Sequence, residues 1–145
     1  MTGTAVLALD VGEARIGLAR GERGSSFAFG RGWLVRGRDA AADIAELKKL
    51  MEEERAGLLL VGLPRRSDGG ESEQTRRVRE FAAQLEEAGL PVEFEDERYT
   101  TRIAEQQITG GLRGRTRRRE KGLRDEAAAV LILETWLARQ RPEDV

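Results

Sequence analysis

Ala5-Val6-Leu7-Ala8-Leu9 is an unbroken apolar run of strand length, and an aspartate ends it. With no polar residue in either alternating set, it reads as a strand buried on both faces. Asp10-Val11-Gly12 interrupts the run. Ile16-Gly17-Leu18-Ala19 follows so closely that the two segments predict a hairpin. A carboxylate at the tip of a buried strand needs a physical reason, because a charge taken out of water is costly unless it is paired. A metal ion is one such reason. A turn is another, since Asp-x-Gly is common hairpin chemistry.

The rest of the chain builds around this hairpin. Ser25 to Arg36 predicts a third strand, with Phe27, Phe29, Trp33 and Val35 at period two among glycines. Asp39 reads as the N-cap of a helix carrying Ile44, Leu47, Leu50 and Met51, closed near Arg55-Ala56-Gly57. Leu58 to Val61 is the next buried strand, and a polar loop spans Arg65 to Ser72. Val78, Phe81, Ala82 and Leu85 mark a second helix, ended by Gly89, and Val92 to Glu95 a short strand. Thr100 and Thr101 open a further helix with Ile103, Ala104 and Ile108 on one side. Gly110 to Gly122 reads as a basic loop, and Leu123 to Arg139 as a last, buried helix. Helical crossovers make the two late strands parallel to the first. The expected fold is α/β: a mixed five-stranded sheet, three antiparallel strands then two parallel, flanked by helices. A single domain over residues 1–145 is expected at this length.

Composition excludes several chemistries. The sequence holds no cysteine and no histidine, which removes thiol catalysis, disulfides, cysteine–zinc sites and the commonest general base. Hydrolysis would have to use carboxylates, lysine, a hydroxyl or a metal. The net charge of -1 hides a bias in kind: Lys48, Lys49 and Lys121 are the lysines, and every other base is arginine. Low aromatic content argues against a nucleic-acid surface built on stacking platforms. No apolar stretch reaches membrane-spanning length and the N-terminus lacks the pattern of a signal peptide, so a cytoplasmic protein is expected.

In open α/β sheets, sites gather beyond the carboxyl ends of the parallel strands. Three groups of acids are expected at that edge: Asp10; Glu95, Asp96 and Glu97; and Asp125 with Glu126. Hard divalent cations take such oxygen ligands, and a pair of them can clamp a phosphodiester displacement. Each acid also has a plain structural use, in a turn, on an acidic surface or near a helix N-terminus, and periodicity does not separate Glu95 from Glu97. Arg113, Arg115, Arg117, Arg118 and Arg119, with Lys121 just beyond, precede Asp125 and suit a phosphate backbone. Arg65-Arg66-Ser67-Asp68-Gly69-Gly70 lies between a strand and a helix, where backbone amides can also meet phosphate. Arg98 fits either a substrate contact or a neighbouring acid.

Four of these segments, in order, resemble the YqgF/RuvX family, described as Holliday junction resolvase-like proteins or pre-16S rRNA nucleases. They are Leu7 to Gly12 with Arg15 to Ala19; Val61 to Pro64 with Asp68-Gly69; Asp96 to Thr101; and Asp125 to Ala128 with Ile132-Leu133. The resemblance spans nearly the whole chain. It implies an RNase H-like fold, catalytic and metal-binding carboxylates at Asp10, Glu97 and Asp125, and magnesium or manganese, with a two-metal site. It also implies a nucleic-acid substrate. One departure is Arg20-Gly21, where similar chains often carry Ser-Asp after the second strand. The expected activity is metal-dependent phosphodiester hydrolysis in processing the 5′ end of pre-16S rRNA. Resolution of branched DNA, which would call for a homodimer, is the alternative; a non-catalytic nucleic-acid-binding module is another. An actin-like phosphotransferase shares the Asp-x-Gly hairpin but needs a second domain, for which the chain has no room.

Overall fold

The computed structural model describes residues 4–97 and 117–140, Arg117 and Arg118 by their backbone alone. Strands β1 (Ala5–Val11), β2 (Arg15–Glu22) and β3 (Ala28–Val35) form an antiparallel meander. Helix α1 (Ala40–Glu54) leads to β4 (Ala56–Leu63), and α2 (Glu73–Glu87) leads to β5 (Val92–Asp96). Helix α3 (Arg117–Gln140) is the last described element. The sheet order is β3-β2-β1-β4-β5, with β4 parallel to β1 and β5 parallel to β4. The expected mixed five-stranded sheet is therefore present.

Local chemistry starts and stops the helices. The Asp39 carboxylate accepts the Ala42 amide at 3.0 Å, capping α1 as its position predicts. Ser72 caps α2 with a reciprocal Ser–Thr75 box. Arg55, in left-handed backbone, closes α1 and turns the chain directly into β4.

The apolar run of β1 divides its side chains between two layers. Leu7, Leu9 and Val11 pack with Leu47, Met51, Phe81 and Leu85 of α1 and α2. Val6 and Ala8 pack with Ala129, Ile132, Leu133, Trp136 and Leu137 of α3. Those α3 positions recur at the three- and four-residue spacing of one helical stripe. Asp10, next in the set of Val6 and Ala8, thus faces α3.

Two expectations need correction. The run from Gly110 is not all loop, because α3 begins at Arg117 and includes Arg119, Lys121 and Gly122. Arginine, glutamate and lysine are good helix formers, and the single glycine is tolerated because the ring of Trp33 occupies the space a Cβ would fill. Nor do the aromatic positions of β3 share a face. The β2–β3 register shifts between Gly17 and Ala19, so Arg31 and Gly32 both oppose Leu18. Gly32 adopts φ 78°, and its amide donates to Glu126 Oε2 at 2.7 Å. This bulge reverses the alternation. Trp33 lies against α3, whereas Phe29 alternates with Gly30, whose own face is filled by Glu126. The Arg20-Gly21 departure leaves β2 intact: Arg20 donates to the Glu54 carbonyl at 3.2 Å, and Gly21 admits Leu133 and Leu137. The helix expected from Thr100 lies outside the described residues.

Candidate active site

Asp10 sits between two glycines. Gly17 of β2 is its cross-strand partner. Gly62 of β4 follows Val61, the partner of Leu9. Both glycines are needed for close approach. A Cβ at residue 17 would collide with the carbonyl group of Asp125, so glycine here lets the α3 backbone settle onto β2. A Cβ at residue 62 would stand 2.6 Å from Glu97 Oε2 and 2.5 Å from Ile132 Cδ1. The α3 segment bearing Asp125 therefore lies on one flank of Asp10, and the Glu97 carboxylate on the other. The Glu97 amide donates to the Leu63 carbonyl at 3.0 Å, which extends the β4–β5 pairing past the strand and fixes where Glu97 emerges.

The electrostatics follow this geometry. Asp10 is partly buried. Burial holds its carboxyl well above the usual carboxylate range, and repulsion from Glu97 and then Asp125 lifts it further. Asp125 is also raised by burial, and Arg15 opposes that shift. Arg15 Nε donates to Asp125 Oδ2 at 2.9 Å. Among the described residues, no three acids form a ready-made metal-ligand group. Glu97 and Asp125 both act on Asp10, and Asp125 is engaged by an arginine.

The neighbouring acids are committed elsewhere. Glu95 is buried and bound by the guanidinium of Arg139. Glu93 accepts the Trp136 indole N–H at 2.8 Å. Glu126 braces the β3 bulge at Gly32. Tertiary packing thus distinguishes Glu97 from Glu95 where periodicity does not. Asp96 lies 3.8 Å from Arg65 across the strand ends.

The basic residues divide as well. Arg65 donates to the Gly69 carbonyl and so shapes its own loop, and Arg66 pairs with Asp68 at 3.1 Å on the surface. Arg119 and Lys121 are exposed on the first turns of α3, on the side from which Asp125 reaches the strand ends. Arg117 and Arg118 are placed by backbone only, and Arg98, Arg113 and Arg115 lie outside the described residues.

Sequence reasoning missed Gly17, Gly62 and Arg15 as parts of the site. The glycines had a signal: each interrupts a buried strand, where glycine marks close approach by another group. Arg15 had only its place after the turn, at the head of the resembling segment Arg15 to Ala19.

The model of the RuvX family, Holliday junction resolvase, matches residues 4–139. A Thermus thermophilus protein named "Putative pre-16S rRNA nuclease" is 46% identical over 132 residues, covering 91% of this chain and 96% of that protein. The Deinococcus radiodurans "Ribonuclease YqgF" is 42% identical over 134 residues, covering 92% and 88%. Thermus thermophilus RuvC, solved with a Holliday junction substrate, superposes with a TM-score of 0.55 at 15% identity and covers 94% of this chain and 95% of its own. That likeness identifies the fold as RNase H-like.

Proposed function

The chain belongs to the RuvX family, and from that premise we propose that it is a divalent-metal-dependent nuclease that hydrolyses phosphodiester bonds at the 5′ end of pre-16S rRNA. One observation carries the reading: Gly17 and Gly62 bring the Asp125 segment and the Glu97 carboxylate to the two flanks of Asp10, where burial and then these two acids raise the energy of the Asp10 charge. Stability alone gives no reason to gather acids this way.

The donor set fits magnesium or manganese. It is all oxygen, in a chain without histidine or cysteine. Asp10, Glu97 and Asp125 would hold the ion, or a pair of ions. When bound, such an ion supplies Lewis acidity at a phosphoryl oxygen. The positive charge would relieve the repulsion at Asp10 and replace Arg15 as the counter-charge of Asp125. Arg119 and Lys121 hold the nucleic-acid backbone through phosphate contacts, joined by Arg98, Arg113, Arg115, Arg117 and Arg118. Arg65 and Arg66 reach it from the β4–α2 loop. Ribosomal RNA processing places the protein in the cytoplasm, and no described helix is long and apolar enough to cross a membrane.

A second reading is favoured by the description of the family model itself: resolution of a four-way DNA junction. Paired cuts in one junction need two sites, hence a homodimer. The deciding experiment offers pre-16S rRNA, single-stranded RNA and four-way DNA junctions to the protein with magnesium or manganese. Preferential cutting of the precursor, lost in Asp10→Asn, is the expected result. Paired cuts in the junction alone would transfer the proposal to the second reading. Binding of all three without any cut would make the protein a non-catalytic module.

A further inference from the structure

A groove of about 510 Å³ opens beside the carboxylate edge, lined by Ala14, Arg15, Trp33, Val35 and Arg119. Its walls are of two kinds. Trp33 and Val35 supply an apolar side, and Val35 is 68% exposed although it is aliphatic and lies in a strand. Arg15 and Arg119 supply two guanidinium groups. Arg15 pairs with Val35 across the β2–β3 ladder and reaches back to Asp125. It therefore belongs to both the groove and the acid cluster. The β3 bulge turns Trp33 and Val35 to this side of the sheet, and Gly122 lets the first turns of α3 close onto the Trp33 ring.

We propose that this groove seats the nucleotide next to the scissile phosphate. The base and sugar would lie against Trp33 and Val35, and the flanking phosphate between Arg15 and Arg119. The inference rests on the nuclease reading. Its size suits a small polar-apolar ligand. An apolar wall beside two cations matches the mixed character of a nucleotide, since every base offers a π-face and every linkage an anion. A purely apolar partner would make no use of the Arg119 guanidinium or of the cationic face that Arg15 adds to the groove. The chain's low aromatic content is thus compatible with a single stacking position beside the site.

The two tryptophans make the proposal directly readable. Trp136 is 1% exposed and hydrogen-bonded to Glu93, so a ligand on the surface cannot touch it. The full chain carrying Asp10→Asn is titrated with a short, labelled single-stranded RNA, following label anisotropy and tryptophan emission together. Trp33→Phe in the same background supplies the signal of Trp136 alone. The expected result is saturable quenching of Trp33 with the same midpoint as the anisotropy. Val35→Asp, a change at an exposed position, should weaken binding about tenfold. Binding seen by anisotropy with Trp33 silent and Val35→Asp unaffected would overturn the seat and leave the nuclease reading standing. Absence of binding in both channels, with four-way junctions and precursor rRNA also failing to bind, would overturn both. If Val35→Asp does not fold, the Trp33 signal decides alone.

Discussion

Two arginine–aspartate pairs in this molecule share one bond length and lie in opposite surroundings. Arg36 Nε meets Asp43 Oδ2 at 2.9 Å, and Arg15 Nε meets Asp125 Oδ2 at 2.9 Å. The first lies on the α1–α2 side of the sheet. Asp43 is buried, and its other oxygen accepts the Gly37 amide at 2.8 Å. Arg36 also donates to the Gly12 carbonyl at 2.9 Å and stacks over Phe81 with its guanidinium carbon 4.6 Å from the ring centre. Each charge is met several times over, so the pair fastens the turn after Asp10 to the body of the protein. The second pair lies on the α3 side. Asp125 is partly exposed, and the Arg15 guanidinium meets it from the side of β2. Near it stand two more acids that raise one another's energy. Bond length does not separate a brace from a site; what else surrounds the two charges does.

The largest expected effect is on the α3 side. Asp10→Asn should lower cleavage at least about a thousandfold, equivalent to roughly 4 kcal/mol of barrier, measured on whichever substrate the parent cuts. Asp43→Asn, if folded, should retain activity per folded molecule; loss there comparable to Asp10→Asn would erase the distinction between brace and site.

Stability should divide the two pairs in the reverse sense. Asp43→Ala leaves Arg36 and the Gly37 amide without their shared acceptor, and breaking a buried pair costs about 3–5 kcal/mol. Asp125→Ala removes a partly exposed pair and should cost less than about 1 kcal/mol. Urea denaturation of both variants tests this, and equal losses would mean that Asp125 is structural too.

Gly17→Ala probes the approach of α3 without touching any acid. Its new methyl meets the Asp125 carbonyl group, so α3 must shift. The expected penalty is about 1–3 kcal/mol in stability, with cleavage falling further than the folded fraction does. Cleavage that simply tracks the folded fraction would detach the glycine from the chemistry.

The smallest effect has an unusual sign. The folded state raises the Asp10 pKa, so it disfavours the ionised form. Stability is therefore lost as pH rises from the ordinary aspartate value of about 3.9 through the raised value. In chelator at neutral pH, Asp10→Asn should melt higher than the parent, by about 2–4 °C for each kcal/mol of repulsion and burial removed. The gain should vanish near pH 3, where Asp10 is protonated both folded and unfolded. A variant that melts lower at neutral pH would show that the charge is already compensated.

The parts of the fold that were legible in the sequence are those set by short-range chemistry. The apolar run of β1, the Asp39 cap, the Val78–Leu85 stripe and the order of strands and crossovers all follow from periodicity and capping. The errors share a cause. The start of α3 at Arg117 was hidden because a basic run reads as loop until a partner such as Trp33 covers its glycine. Period two over Phe29, Trp33 and Val35 hides their division between two faces, because a one-residue bulge leaves no mark in that pattern except Gly32 itself.

For the candidate site, the sequence by itself determined which kinds of side chain are available. Without histidine or cysteine, and with acids at the ends of its strands, the chain was restricted to carboxylates as its candidate ligands. It also placed Asp10 at the tip of a doubly buried strand, because strand burial is written in consecutive side chains. Only the tertiary structure decided which other acids reach it. Glu95 and Glu97 have the same parity and differ by two residues. One is bound by Arg139 and the other lies against Gly62, because α3 crosses the sheet at one particular place. Gly17 and Gly62 fix that crossing through contacts between residues a hundred positions apart, such as Gly17 with Asp125, and local pattern carries no information at that range.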